Sequence, residues 1–67
     1  MRNYYIILGG VYSEAELHEY GLVSEPKTAI YGCSDNDLSE DYVSSVIGNY
    51  HFGLDIGCDK PSWLVEL

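Results

Sequence analysis

The stretch "SDNDLSEDYVSSVIGNY", Ser34 to Tyr50, holds four carboxylates in its first eight residues and a regular apolar pattern after them. Leu38, Tyr42, Val43, Val46, Ile47 and Tyr50 recur at three- and four-residue steps, the spacing of one helix face. Asp37 and Glu40 have capping-box spacing with Asp37 as the cap, and Ser34 or Asp35 can order the turn before it. Acidic side chains in a first turn also suit the positive end of a helix dipole. Gly48-Asn49 is the expected stop. A helix start needs one or two acids, so Asp35 and Asp41 are left over.

The flanking elements follow from this helix. "NYYIIL", Asn3–Leu8, reads as a central strand because apolar side chains fall on both faces. Gly9-Gly10 is expected to end or bend it. Ser13 and Glu16 have capping-box spacing and open a short helix over Glu14–Tyr20, with Gly21 as a left-handed stop. Val23–Lys27 is a connector, since Pro26 forbids helix and keeps Glu25 extended. "TAIYGC", Thr28–Cys33, is a second strand. "HFGLDIG", His51–Gly57, alternates like a half-buried strand. Cys58–Pro61 is a turn, and Ser62–Leu67 is a last strand, expected to form a hairpin with the one before it. The predicted order is β-α-β-α-β-β: an α+β single domain over residues 1–67, with a sheet of three to four strands and both helices on one face.

Size and composition bound the function. A chain of 67 residues is one domain. A domain of this size buries only about 60% of its unfolded surface. An apolar content of 46% with seven Tyr still argues for a packed fold. Eleven acidic residues stand against Arg2, Lys27 and Lys60, a net charge of −8. That balance repels nucleic acid and anionic membrane and attracts basic surfaces. "YYIILGG" is too short for a signal peptide or a bilayer span, so a cytoplasmic location is expected. Cys33 and Cys58 then read as reduced thiols, with a bridge between them left open.

Chemistry is weakly marked. An EF-hand counted from Asp35 needs Gly at its sixth position and Glu at its twelfth, where this chain has Glu40 and Val46. Cys33, Cys58, His18 and His51 lack zinc-ligand spacing. Cys33 has Asp35 rather than a cation near it in sequence, which disfavours a thiolate nucleophile. No nucleophile elbow, phosphate loop or H-E-x-x-H is present. The expectation is therefore a non-enzyme with no cofactor and no metal.

A protein partner remains. Glu14, Glu16 and Glu19 lie on the first helix, and Asp35, Asp37, Glu40 and Asp41 lie at the start of the second. If both helices share a sheet face, these acids form one surface with no Lys or Arg inside it. Carboxylates three or four apart on a helix stand about 5–6 Å apart, of the same order as neighbouring phosphates. The plain alternative is a solvated, solubilising surface, but that normally mixes signs. Tyr4 or Tyr5, Tyr31, Tyr42 and Trp63 are expected in the core. Tyr12, Tyr20 and Tyr50 sit at element ends, where exposed aromatics act as interface anchors.

In size, charge, lack of a catalytic motif and the acidic helix starts "SEAELHE" and "SDNDLSED", the chain resembles small phage proteins that disable host defence. These are the anti-CRISPR and DNA-mimic anti-restriction proteins. The resemblance lies in the profile and not in an aligned motif. It implies stoichiometric binding to a basic nucleic-acid-binding surface, such as the DNA entry site of a CRISPR effector complex, in the host cytoplasm. Two other classes stay open. One is an adaptor or antitoxin-like module for a basic partner. The other is a structural subunit that homodimerises through a strand edge and a Tyr/Trp patch.

Overall fold

The computed structural model describes residues 1–54 and 60–67. Strand β1 (Arg2–Ile7) leads into β2 (Gly10–Ser13), helix α1 (Glu14–Glu19) and a 3-10 turn (Leu22–Ser24). Strand β3 (Ala29–Cys33), helix α2 (Glu40–His51) and strand β4 (Leu64–Glu66) follow. The four strands form one antiparallel sheet in the order β2-β1-β3-β4. The protein is thus α+β, and among the described residues it has a four-stranded sheet and two helices, with β1 central.

Strand β2 was not foreseen. Strand β1 ends ahead of Gly9-Gly10, as expected, but the chain turns straight back, and β1 and β2 form a hairpin in which Ile7 faces Gly10 across a two-residue loop. Both loop residues are left-handed, Leu8 at φ 53° and Gly9 at φ 79°. This is the primed turn whose twist matches that of paired strands. Leu8 pays a steric cost there that Gly or Asn largely avoids. Its side chain is 88% exposed, so no packing offsets that cost. Leu8→Asn is therefore expected to raise stability by about 1 kcal/mol. A urea titration checks it; an unchanged midpoint would argue against a left-handed Leu8.

Helix α1 starts as the sequence predicts. The Ser13 hydroxyl accepts from the Glu16 amide at 3.3 Å, and the Ser13 amide donates to Glu16 Oε1 at 3.1 Å. Gly21 ends it in left-handed geometry, φ 72°. Helix α2 is shifted at both ends relative to expectation. Its cap is Ser39, whose hydroxyl accepts from the Tyr42 amide, and not Asp37. The Asp37 amide instead donates to Asp35 Oδ1 at 2.9 Å, so Asp35 orders the preceding turn. The helix passes Gly48 and ends at His51. Gly53 is the stop, at φ 70°, with its amide on the Tyr50 carbonyl and the Leu54 amide on the Asn49 carbonyl. That pair of bonds is a Schellman closure. The extra turn places Tyr50 and His51 edge-on to Tyr31.

His51–Leu54 is consequently helix end and turn, not strand. The rest of that predicted strand and the first half of the Cys58–Pro61 turn lie outside the described residues, as does any Cys33–Cys58 bridge. Strand β4 pairs with β3, matching Leu64 to Cys33 and Glu66 to Tyr31; the expected hairpin between it and the 51–57 segment lies partly outside the described residues.

Register decides which side chains share a face. Tyr4, Ser13, Tyr31, Cys33 and Leu64 fall on one face, and α2 covers it with Val43 and Ile47. Tyr5 and Tyr12 are cross-strand partners on the other face. There Tyr20, just after α1, meets the Tyr12 ring edge-on at 5.8 Å. The Glu14 carboxylate is the largest influence on the Tyr5 phenol and holds it above its ordinary pKa. Leu17 of α1 is fully buried, apart from the cluster under α2. The two helices therefore take opposite faces, in place of the shared face expected. The cause is β2, which turns the chain back to the sheet edge before α1 begins.

Candidate acidic protein-binding surface

The helices share an end of the sheet instead. Ser13 closes β2, caps α1, and approaches Glu40 Oε2 with its hydroxyl at 3.5 Å. This long contact links the first turns of α1 and α2. Around it opens a cleft of about 430 Å³, lined by Arg2, Asn3, Tyr5, Ser13, Glu14 and Glu40, with Met1 and Ala15 at its side. Glu14, Glu40 and Asp41 are exposed here, and Glu16 is half-buried by its capping role. Asp35 and Asp37 are exposed on the loop leading into α2. Glu19 is set apart at the far end of α1. Six of the seven predicted acids thus lie on the first turns of the helices or the loop between β3 and α2, and they reach this end by a route other than a shared face.

Arg2 is the residue that sequence reasoning missed, and its position corrects the expectation of a surface free of Lys and Arg. Its Nη2 donates to the Leu38 carbonyl at 2.7 Å and the Asp35 carbonyl at 3.0 Å. It also lies 3.6 Å from Cys33 Sγ, so a cation does stand beside that thiol. The Cys33 thiol is fully buried and donates to the Asp35 carbonyl at 3.0 Å. Arg2 therefore fastens the acidic loop through its backbone, and these bonds leave the loop's carboxylates facing water. No pattern in the sequence links Arg2 to residues more than thirty positions away.

Beneath the cleft the Tyr4 side chain is fully buried and its hydroxyl has no hydrogen-bond partner. Burial, first of all, raises its pKa, with Arg2 opposing and Glu40 adding to the rise. At the opposite end of α2 the Tyr31 hydroxyl and His51 Nδ1 lie 3.1 Å apart, and the Tyr50 hydroxyl donates to Glu66 at 3.1 Å. Tyr31 is buried, as expected, whereas Tyr42 is 51% exposed. Trp63 is half-buried at the rim of the core, with its ring 6.1 Å from that of Tyr42.

Among the described residues no three of His, Cys, Asp and Glu gather in a metal-binding group. Nor, among them, is any helix long and apolar enough to cross a membrane. No protein-family model, curated protein or solved structure matches the chain.

Proposed function

We propose that this chain is a non-enzymatic inhibitor that binds a basic nucleic-acid-binding surface of a host defence complex in the cytoplasm, as anti-CRISPR proteins do. The convergence of two acidic helix starts on one end of the sheet carries this reading. Ser13 links them, and Arg2 is turned to backbone carbonyls. A mainly acidic surface whose cation, Arg2, is engaged by backbone carbonyls favours fast encounter with a cationic groove and excludes DNA from it by occupancy. The closely spaced carboxylates take the place of backbone phosphates.

The test removes charge without removing caps. None of Glu14, Glu40 and Asp41 supplies a helix cap, and Gln at position 40 keeps an oxygen for the Ser13 hydroxyl, so Glu14→Gln, Glu40→Gln and Asp41→Asn together should leave the fold intact. A tagged chain is used to capture partners from a bacterial lysate at low and at moderate salt, with added duplex DNA as competitor. The expected result is a nucleic-acid-handling complex released by DNA and by salt. The triple variant should bind it roughly tenfold more weakly, from about 0.5 kcal/mol per rim charge. Capture that ignores DNA, salt and the triple variant would overturn the proposal.

A further inference from the structure

Acids and aromatics, read from sequence as belonging to rival functions, meet at the first turn of α2. At 3.6 residues per turn, Glu40 and Tyr42 leave the helix on opposite sides, with Asp41 between them. Glu40 reaches back to Ser13 at the β2 edge. Tyr42 leans over Trp63, just before the β4 edge. The Trp63 carbonyl is held by the Ser34 amide at 2.9 Å and the Ser34 hydroxyl at 3.2 Å. Trp63 is thereby tied to the first residue of the loop carrying Asp35 and Asp37. That loop is itself fixed by the Asp35 turn and by Arg2.

We infer that Tyr42 and Trp63, with Asp41 next to Tyr42 on the helix and Asp35 and Asp37 on the loop that Ser34 ties to Trp63, form a docking surface for arginine side chains of a basic protein segment. The inference rests on the proposed function and adds the chemistry of the partner's contacting residue. Charge complementarity selects the occupant. An aromatic pair bordered by carboxylates suits a guanidinium, whose plane stacks on a ring while its edge forks to a carboxylate. A lysine ammonium is a compact, strongly hydrated charge and gains less from the ring. A second copy of this chain would bring another net charge of −8 to the same place. A nucleic acid would meet the same repulsion.

Trp63 is the sole tryptophan, so its emission reports on this surface. Synthetic octa-arginine and octa-lysine are titrated into the full chain at 100 mM salt, following Trp63 emission and the anisotropy of labelled peptide. Octa-arginine is expected to shift Trp63 emission with a midpoint about three- to fivefold lower than octa-lysine. Tyr42→Leu, checked for folding by far-UV circular dichroism, should abolish that preference while both peptides still bind. Equal midpoints for the two peptides would overturn the inference and leave the proposed function standing. So would peptide binding by anisotropy without any change in Trp63 emission. An emission change with protein concentration alone would assign the surface to a second copy. Failure of both peptides to bind even at low salt would overturn the inference and the proposed function together.

Discussion

Ile47→Ala is expected to cost about 3 kcal/mol and to leave much of the chain unfolded at 37 °C. Ile47 is fully buried in the cluster that joins α2 to the sheet, with Val43, Tyr4, Tyr31, Cys33 and Leu64. Truncation removes three carbons of buried side chain from a site bounded by a sheet on one side and its own helix on the other. Such a site collapses little, so the cavity adds to the lost transfer energy. A chain of this length has a total stability on the order of 3–10 kcal/mol, so the loss is a large fraction of it. Urea unfolding followed by far-UV circular dichroism and by Trp63 emission measures the change, and the two probes should coincide. Val46→Ala, at a half-buried position on the same helix, is the comparison and should cost about 1 kcal/mol or less. Equal costs at positions 46 and 47 would mean that the helix packs with a different face.

Those two valine and isoleucine positions show how much of the fold was readable beforehand. The apolar spacing marked α2 and put Val43 and Ile47 on its buried side, but Tyr42 and Tyr50 of the same predicted stripe are exposed and Leu38 precedes the helix. The capping box at Ser13 and Glu16 fixed the start of α1 to the residue, because both partners are local. What escaped notice depended on contacts made elsewhere. The β1–β2 hairpin turns through a left-handed leucine, a conformation for which sequence rules expect Gly or Asn. Val11 and Tyr12, two β-formers straight after the glycines, were the available signal. The C-terminus of α2 was expected at Gly48-Asn49, and the edge-on packing of Tyr50 and His51 on Tyr31 carries the helix past it to the stop at Gly53. Glu14, Glu16, Glu40 and Asp41 stand in the first turns of the two helices, whereas Asp35 and Asp37 lie on the loop before α2 and Glu19 at the far end of α1. The meeting of the two helix starts at one end of the sheet followed from β2, and so became visible only with the hairpin in place.

Arg2→Met should separate an ordered acidic surface from a diffuse negative field, because the two make opposite predictions for it. The substitution keeps an unbranched apolar stem and removes one of the few positive charges, making the net charge more negative by one. If the chain attracts its partner only as a field of charge, affinity rises. If the loop carboxylates act as a fixed array, affinity falls, because Arg2 Nη2 holds the carbonyls of Asp35 and Leu38 from 33 and 36 residues away. Hydrogen bonds from a charged donor contribute about 1.5–3 kcal/mol, and losing this pair is expected to destabilise the fold by about 2–3 kcal/mol. The binding measurement is therefore made at a temperature where circular dichroism shows the variant folded, against the complex captured by the unaltered chain. The expected outcome is a fall in affinity of roughly fivefold, about 1 kcal/mol, despite the added negative charge. Arg2→Lys retains the charge with a shorter reach and should recover part of both losses. A gain in affinity for Arg2→Met at full folding would mean that the acids need no ordering. The fixing of the Asp35–Asp37 loop by Arg2 would then have no part in recognition.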